Sequence, residues 1–156
     1  MQRILGIDPG YGQVGFGVID LINLANINYV SHGSIHTDKN AIFADRLCEI
    51  AEDLSQVLSK YRPQKLVIEK LFFARNTTTA MLVSEARGVI VYECRKFGLE
   101  VVEVTPLQAK SAVTGYGKAT KLEVKKMVQK ILNLEHLKGV DDSVDALAIA
   151  IAGASI

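Results

Sequence analysis

The sequence predicts an α/β fold in which a mixed five-stranded sheet is flanked by helices on both faces. Short apolar segments alternate with segments of helical periodicity along the second half of the chain. Near the N-terminus, two strand-like segments flank a strong turn signal, Pro9-Gly10-Tyr11-Gly12. The chain has 156 residues, of which 49% are hydrophobic and 22% charged, and this suits one globular domain over residues 1–156.

The first three elements are predicted to be strands. Residues 3–8 form an apolar run that ends at Asp8, which is typical of a buried strand. Apolar side chains then recur at every second position, in Val14, Phe16 and Val18. Residues 27–35 are expected to form the third strand. The three would pair as an antiparallel meander.

Helices and strands alternate in the middle of the chain. Helical spacing of apolar residues predicts a helix over 42–58, and Pro63 breaks it. A long helix is expected from about Asn76, as its cap, to Lys96. Two short strands, 65–69 and 100–104, flank this helix. Right-handed crossovers would make these two strands parallel to the first.

The last part of the chain predicts three more helices. The first follows Thr105 as cap and Pro106 as first helical residue, and runs to Val113. The second covers 120–132, and the third starts near Asp141.

One glycine motif is misleading. Residues Gly10 to Gly15 match the G-x-G-x-x-G spacing of dinucleotide-binding loops. Such a loop must open a helix, because the pyrophosphate binds at the N-terminus of that helix. The next segment alternates like a strand, so we interpret the motif as a glycine-rich hairpin turn that lets a backbone approach DNA closely.

Charge is distributed unevenly. The net charge of +1 does not by itself indicate a nucleic-acid-binding protein. Residues 107–130, however, contain six lysines and one acidic residue. This segment suits either a phosphate-binding surface or a solvated lysine-rich helix.

Four carboxylates stand at positions that indicate a metal site. Asp8 and Glu69 each end an apolar strand, and Asp145 opens an apolar helical run. Asp142 is three residues before Asp145, so both share a helix face. Burying ionised carboxylates without partners costs several kcal/mol, and no neighbouring run of Arg or Lys lies in the same apolar segments. A shared divalent ion would resolve this, and hard oxygen ligands favour Mg²⁺ or Mn²⁺.

Each acid also has a structural interpretation. Asp8 before Pro-Gly suits a turn, and Glu69 suits an ion pair with Lys70 or Arg75. Asp141 and Asp142 suit helix capping. Four coincidences of this kind are less plausible than one metal site. Two ions about 3.5–4 Å apart could then hold the attacking water and the leaving oxygen of a phosphodiester.

Five segments resemble the RuvC family of Holliday-junction resolvases, in order and over essentially the whole chain. They are Gly6-Ile7-Asp8-Pro9-Gly10, Gly15-Phe16-Gly17-Val18-Ile19, Ile68-Glu69-Lys70-Leu71-Phe72-Phe73, Glu85-Ala86-Arg87-Gly88-Val89 and Asp142-Ser143-Val144-Asp145-Ala146-Leu147-Ala148. The resemblance implies an RNase H-like fold and a homodimer. It also implies Mg²⁺-dependent paired nicking of four-way DNA junctions, in recombination and repair, alongside the branch-migration proteins RuvA and RuvB.

The resemblance also implies roles for individual residues. The family's four acidic positions match Asp8, Glu69, Asp142 and Asp145. Asp141 is an extra acid beside the match, and Asp142 is preferred for its three-residue spacing from Asp145. Two lysines of the family's basic cleft match Lys110 and Lys121, and Lys118 in the same segment is a further candidate DNA contact.

Two more features follow from the resemblance. Phe72 matches an aromatic residue that stacks on bases at the opened junction. The long helix resembles the family's dimer element, and its apolar residues could serve either a dimer or the monomer core. Those residues are Met81, Val83, Ala86, Val89 and Ile90.

Three rival functions remain open. The first is an RNase H-like nuclease acting on other branched DNA or on structured RNA. The second is an actin-like or sugar-kinase-like ATPase, which would need two such domains. The third is a junction-binding module without catalysis.

The remaining sequence signals concern location. No apolar stretch is long enough to span a membrane, and the N-terminus lacks the features of a signal peptide. Cys48 and Cys94 have no metal-ligand spacing, which suits two buried, reduced thiols. A cytoplasmic protein is expected.

Overall fold

The computed structural model describes residues 1–72, 77–137 and 141–156, without the side chains of Thr77 and Asp141. In it, five strands form one mixed sheet. The strands are β1 (Gln2–Asp8), β2 (Gln13–Asn23), β3 (Asn26–His36), β4 (Lys65–Glu69) and β5 (Glu100–Val104). Their spatial order is β3-β2-β1-β4-β5. The pairs β1–β2 and β2–β3 are antiparallel, and β1–β4 and β4–β5 are parallel. The meander and the parallel strands are therefore confirmed.

The helices follow the predicted order. They are α1 (Phe43–Tyr61), α2 (Thr77–Lys96), α3 (Pro106–Thr114), α4 (Lys121–Ile131) and α5 (Asp141–Ala152), and a 3₁₀ turn covers Gly153–Ser155. Capping boxes start α3 at Thr105 and α4 at Thr120, where each hydroxyl accepts a backbone N–H three residues on. The predicted cap at Asn76 lies outside the described residues.

The helices cover both faces of the sheet, as predicted. Alternate strand residues point to opposite faces, so Ile4 and Val67 pack with α3, α4 and α5, whereas Leu5 and Ile68 pack with α1 and α2. The strand β2 extends beyond the alternating residues that predicted it, Val14, Phe16 and Val18. In this part of the sheet the carboxylate of Asp20 pairs with Arg3 of β1 at 2.8 Å.

The two cysteines differ in environment. Cys94 is buried, and burial raises its pKa to about 12. Cys48 is exposed on α1, so the expectation of two buried thiols was wrong. Position 48 lies beside the buried stripe formed by Ile50, Leu54 and Leu58 rather than within it.

Among the described residues, no helix is both long enough and apolar enough to cross a membrane.

Candidate active site

The carboxyl ends of two neighbouring strands bring Asp8 and Glu69 to one edge of the sheet. Asp8 ends β1 and Glu69 ends β4. The strands are parallel, with Ile7 opposite Ile68. Ligands of open α/β sheets bind at this edge, so the position predicted from sequence agrees with the fold.

Glycines allow α5 to lie very close to the same part of the sheet. A Cβ added at Gly6 would lie 2.1 Å from the carbonyl oxygen of Ala146, and one at Gly15 would lie 2.1 Å from that of Asp142. At Gly17 it would lie 2.7 Å from the backbone nitrogen of Leu147. Real Cβ atoms do not approach other atoms so closely, so side chains here would push the helix away.

This role of the glycines was missed in the sequence analysis. Gly15 was interpreted there as part of a hairpin turn beside DNA, and Gly6 and Gly17 were given no packing role. Gly15 and Gly17 lie instead within β2, two residues apart and therefore on the same face. Glycines at every second position of a strand were the signal that could have revealed close helix packing.

The close approach of α5 brings three carboxylates together. One oxygen each of Asp8, Asp142 and Asp145 lies within 4.8 Å of the other two. Glu69 is outside this group of three, but it lines the same cavity as Asp8 and Asp145. That cavity has a volume of about 200 Å³. The four predicted acids therefore converge, and the side chain of Asp141 lies outside the described ones.

Two of these acids, Asp8 and Glu69, hold protons more tightly than isolated carboxylic acids do. Burial, followed by repulsion from Glu69, Asp142 and Asp145, raises the pKa of Asp8 to about 7. Burial and the charge of Asp145 also raise the pKa of Glu69. Crowded carboxylates with raised pKa values are the expected state of a cation site without its ion.

Two lysines reach the cavity from helices on the same face. Lys110 of α3 and Lys121 of α4 both line it. The Lys121 Nζ lies 3.6 Å from a carboxylate oxygen of Asp145. The charge of Lys121 opposes the rise in the Asp8 pKa, and that of Lys110 does so for Glu69.

The tertiary structure brings cations to the acids from distant segments. No run of Arg or Lys lies in the apolar segments that contain the acids, yet α3 and α4 bring Lys110 and Lys121 to the cavity. The four acids still outnumber the two lysines. Excess negative charge and hard oxygen donors therefore still favour a divalent cation.

The other candidate residues lie outside this cavity. Lys118 is exposed in the loop between α3 and α4 and does not line it. Phe72 lies three residues beyond Glu69, and its surface is 68% exposed. Among the described residues, Phe72 belongs to neither apolar cluster of the core.

The structural alternative for Glu69 finds no support among the described residues. Lys70 pairs with Glu103 at 3.9 Å, and the side chain of Glu69 is free to face the cavity. The second suggested partner, Arg75, lies outside the described residues.

The apolar residues of α2 divide between two environments. Ala86 and Ile90 are fully buried in the core of the single chain. Val83 and Val89 are partly buried, whereas Met81 is 61% exposed. Tyr92, which the sequence analysis did not select, is 64% exposed. Core packing therefore explains Ala86 and Ile90, and the described residues of the single chain leave Met81 and Tyr92 largely exposed on α2.

Comparison with known proteins gives a consistent result. A family model described as crossover junction endodeoxyribonuclease RuvC matches residues 4–153. The chain is 45% identical to the RuvC of Brevibacillus brevis, over 98% of this chain and 92% of the relative. It is 44% identical to the RuvC of Pseudothermotoga lettingae, over 94% of this chain and 90% of that relative.

A solved structure is similar as well. Thermus thermophilus RuvC in complex with Holliday junction substrate superposes with a TM-score of 0.91 at 30% identity. The match covers 97% of this chain and 92% of that one. The RNase H-like fold class expected from the resemblance is thereby confirmed.

Proposed function

Because the chain belongs to the RuvC family of crossover junction endodeoxyribonucleases, we propose that it cuts four-way DNA junctions by metal-dependent phosphodiester hydrolysis. The observation that carries this proposal is the convergence of Asp8, Asp142 and Asp145 within 4.8 Å, on the edge where β1 and β4 end. The wider function is recombination and repair of DNA.

The metal ligands in this proposal are Asp8, Glu69, Asp142 and Asp145. The donor set fits, because carboxylate oxygens are the ligands preferred by Mg²⁺ and, in its place, Mn²⁺. Two ions per site suit four carboxylates around one cavity. When bound, the ions would polarise the scissile phosphate and acidify the attacking water.

The lysines act on the DNA. Lys110 and Lys121 line the cavity, so their ammonium groups can hold the scissile phosphate and stabilise the negative charge that develops on it. Lys118 lies at the surface between these two helices, where it suits a contact with a more distant phosphate. None of the three needs to act as a general base.

Phe72 would stack on a base at the opened junction. The ring is exposed beside the end of β4, which places it close in sequence to the ligand Glu69. Stacking on an aromatic ring contributes about 1–3 kcal/mol per base, which offsets part of the cost of unstacking junction bases.

A homodimer would place two such sites on opposed strands of the junction. The exposed side chains Met81 and Tyr92 of α2 supply an apolar surface for this contact. A twofold axis makes the two sites equivalent, and paired symmetric nicks follow from that equivalence.

The remaining assignments rest on family membership. RuvA and RuvB are the proposed partners in branch migration, and the cytoplasm is the proposed location. Residues 1–156 are proposed to act as one nuclease domain, since a single sheet carries both apolar clusters.

Cleavage assays on matched substrates test the function. We expect Mg²⁺-dependent nicking of a four-way junction, with little cleavage of a flap, a linear duplex or a structured RNA. Asp8→Asn should abolish cleavage while binding of the junction stays close to wild type. Preferential cleavage of the flap or the RNA would favour an RNase H-like nuclease with another substrate, and metal-independent cleavage would contradict the proposed site.

A further inference from the structure

Arg87 of α2 contacts the backbone of Glu69. Its Nε donates to the carbonyl oxygen of Glu69 at 3.1 Å. A terminal nitrogen of the same guanidinium pairs with the carboxylate of Glu103 on β5. Lys70 reaches that carboxylate as well, at 3.9 Å. The contact between Arg87 and the Glu69 carbonyl is partly buried, whereas the Glu103 carboxylate is 43% exposed and meets solvent.

The contacts lie on the opposite face of the sheet from the acidic cavity. Glu103 is opposite Ile68, which packs with the α1 and α2 cluster. Glu69 lies two residues after Val67, which packs on the α5 side, so the Glu69 side chain points to that same face of the sheet. Arg87 thus contacts the main chain of Glu69 from the α2 face of the sheet, whereas the Glu69 side chain points into the cavity on the other face.

The end of β4 needs such a contact. The pairing of β1 with β4 ends at Ile7 and Ile68, one residue before Glu69. On the other side, the N–H of Lys70 donates to the carbonyl of Val104 at 2.8 Å. The Glu69 carbonyl, beyond the β1 ladder, is satisfied by Arg87 instead, and a shielded carbonyl without a donor would be unfavourable.

We propose that Arg87 is a positioning residue, which fixes Glu69 at the metal cavity and links its position to that of α2. The inference rests on the proposed role of Glu69 as a metal ligand. The planar guanidinium can donate to the carbonyl and to Glu103 at once, because its nitrogens point in fixed, divergent directions. Displacement of α2, whose outer face carries Met81 and Tyr92, would then displace Glu69 as well.

Metal binding without DNA is the first readout. Mn²⁺ is titrated into the full-length apo protein and followed by electron paramagnetic resonance. Arg87→Ala should weaken binding about 10-fold, the usual scale for groups that orient a ligand. Arg87→Lys keeps the charge but loses the divergent N–H donors of the guanidinium, so an Mn²⁺ affinity between those of wild type and Arg87→Ala is expected.

A matched control separates positioning from general destabilisation. Arg3 also pairs with a carboxylate across neighbouring strands, since its Nε and a terminal nitrogen lie 2.8 Å from the oxygens of Asp20. It stands at the opposite end of β1 from Asp8. Arg3→Ala should reduce thermal stability but leave the Mn²⁺ affinity within about twofold of wild type.

Junction cleavage at increasing Mg²⁺ is the second readout. For Arg87→Ala, the Mg²⁺ concentration giving half-maximal rate should rise about 10-fold, and saturating Mg²⁺ should restore most of the rate. The Kd for the junction should stay close to that of wild type, since Arg87 does not face the cavity.

The outcomes distinguish the two proposals. Wild-type Mn²⁺ affinity in both Arg87 variants would overturn the positioning role, as would an equal loss in Arg3→Ala. Glu69→Gln should weaken Mn²⁺ binding on its own. If Glu69→Gln binds Mn²⁺ like wild type, Glu69 is not a ligand, and the proposed metal site fails together with the inference built on it.

Discussion

Gly15 of β2 lies directly beneath Asp142 of α5, so closely that a Cβ at position 15 would be 2.1 Å from the Asp142 carbonyl oxygen. The neighbouring atom is backbone, which cannot rotate away. We expect Gly15→Ala to displace the start of α5 and separate Asp142 and Asp145 from Asp8. A displacement of about 1 Å reduces catalysis about 100-fold, and single-turnover junction cleavage measures this loss.

A second glycine in the same sheet provides the control. Gly33 is opposite Phe16 on the neighbouring strand, and its added Cβ would lie 2.8 Å from the Phe16 ring, on the face away from α5. Gly33→Ala should destabilise the fold by about 1–3 kcal/mol through overpacking, yet leave the single-turnover rate of junction cleavage close to that of wild type. If Gly33→Ala slowed cleavage as much as Gly15→Ala, general destabilisation would explain both.

Stability of the metal-free protein should depend on pH through Asp8. Its pKa rises from 3.8 to about 7 on folding, so the folded state holds the proton more tightly than the unfolded chain. This contribution to stability is fully present below pH about 4 and is lost as pH rises through about 7. The free energy of unfolding, measured by urea titration in a chelator, should fall by roughly 1–3 kcal/mol between pH 4.5 and 8.

Asp8→Asn removes the titrating group and tests this assignment. The variant should be more stable than wild type at pH 8 without metal, and less dependent on pH between 4.5 and 8. Added Mg²⁺ should stabilise wild type more than Asp8→Asn at pH 8, because the ion binds the folded state. An identical pH dependence in both proteins would contradict the role of Asp8.

Removing the Phe72 ring should impair catalysis without affecting the fold. The side chain is 68% exposed, so Phe72→Ala should change the free energy of unfolding by less than about 0.5 kcal/mol. The loss of stacking, about 1–3 kcal/mol per base, should slow junction cleavage roughly 5- to 150-fold. Phe72→Trp should retain most activity, because it preserves an aromatic face.

An unrelated exposed aromatic residue provides the comparison for Phe72. Phe97, one residue beyond the C-terminal end of α2, is 44% exposed and lines a separate cavity with Arg62 and Leu99. Phe97→Ala should cleave the junction at close to the wild-type rate. A comparable defect in both variants would argue against a specific role for Phe72.

Substitutions of Lys121 and Lys126, both in α4, should affect the rate of junction cleavage very differently. Lys121 lines the acidic cavity and Lys126 is exposed outside it. Lys121→Ala should reduce the single-turnover rate about 100-fold, because the developing phosphate charge loses a nearby cation. Lys126→Ala should change this rate by less than about twofold. Equal rates for the two variants would remove Lys121 from the proposed chemistry.

Much of the fold was predictable because its signals are local. The turn at Pro9-Gly10, the cap at Thr105 and the apolar periodicity all act over a few residues, and the element order followed from them. The placement of Asp8 and Glu69 at one edge also followed, since parallel strands bring their carboxyl ends together. Cys48 was misjudged because burial on a helix depends on its rotation against the sheet.

The sequence by itself determined the order and type of the elements, the four acidic candidates and the basic segment of 107–130. Tertiary structure alone decided how closely α5 approaches β1 and β2, which lysines face the acids, and that Arg87 reaches the Glu69 carbonyl. The physical reason is range. Turns, caps and periodicity depend on neighbouring residues, whereas these contacts join segments 18 or more residues apart. The alternating glycines of β2 mark a place where close packing is possible, but only the tertiary structure decides which helix packs there.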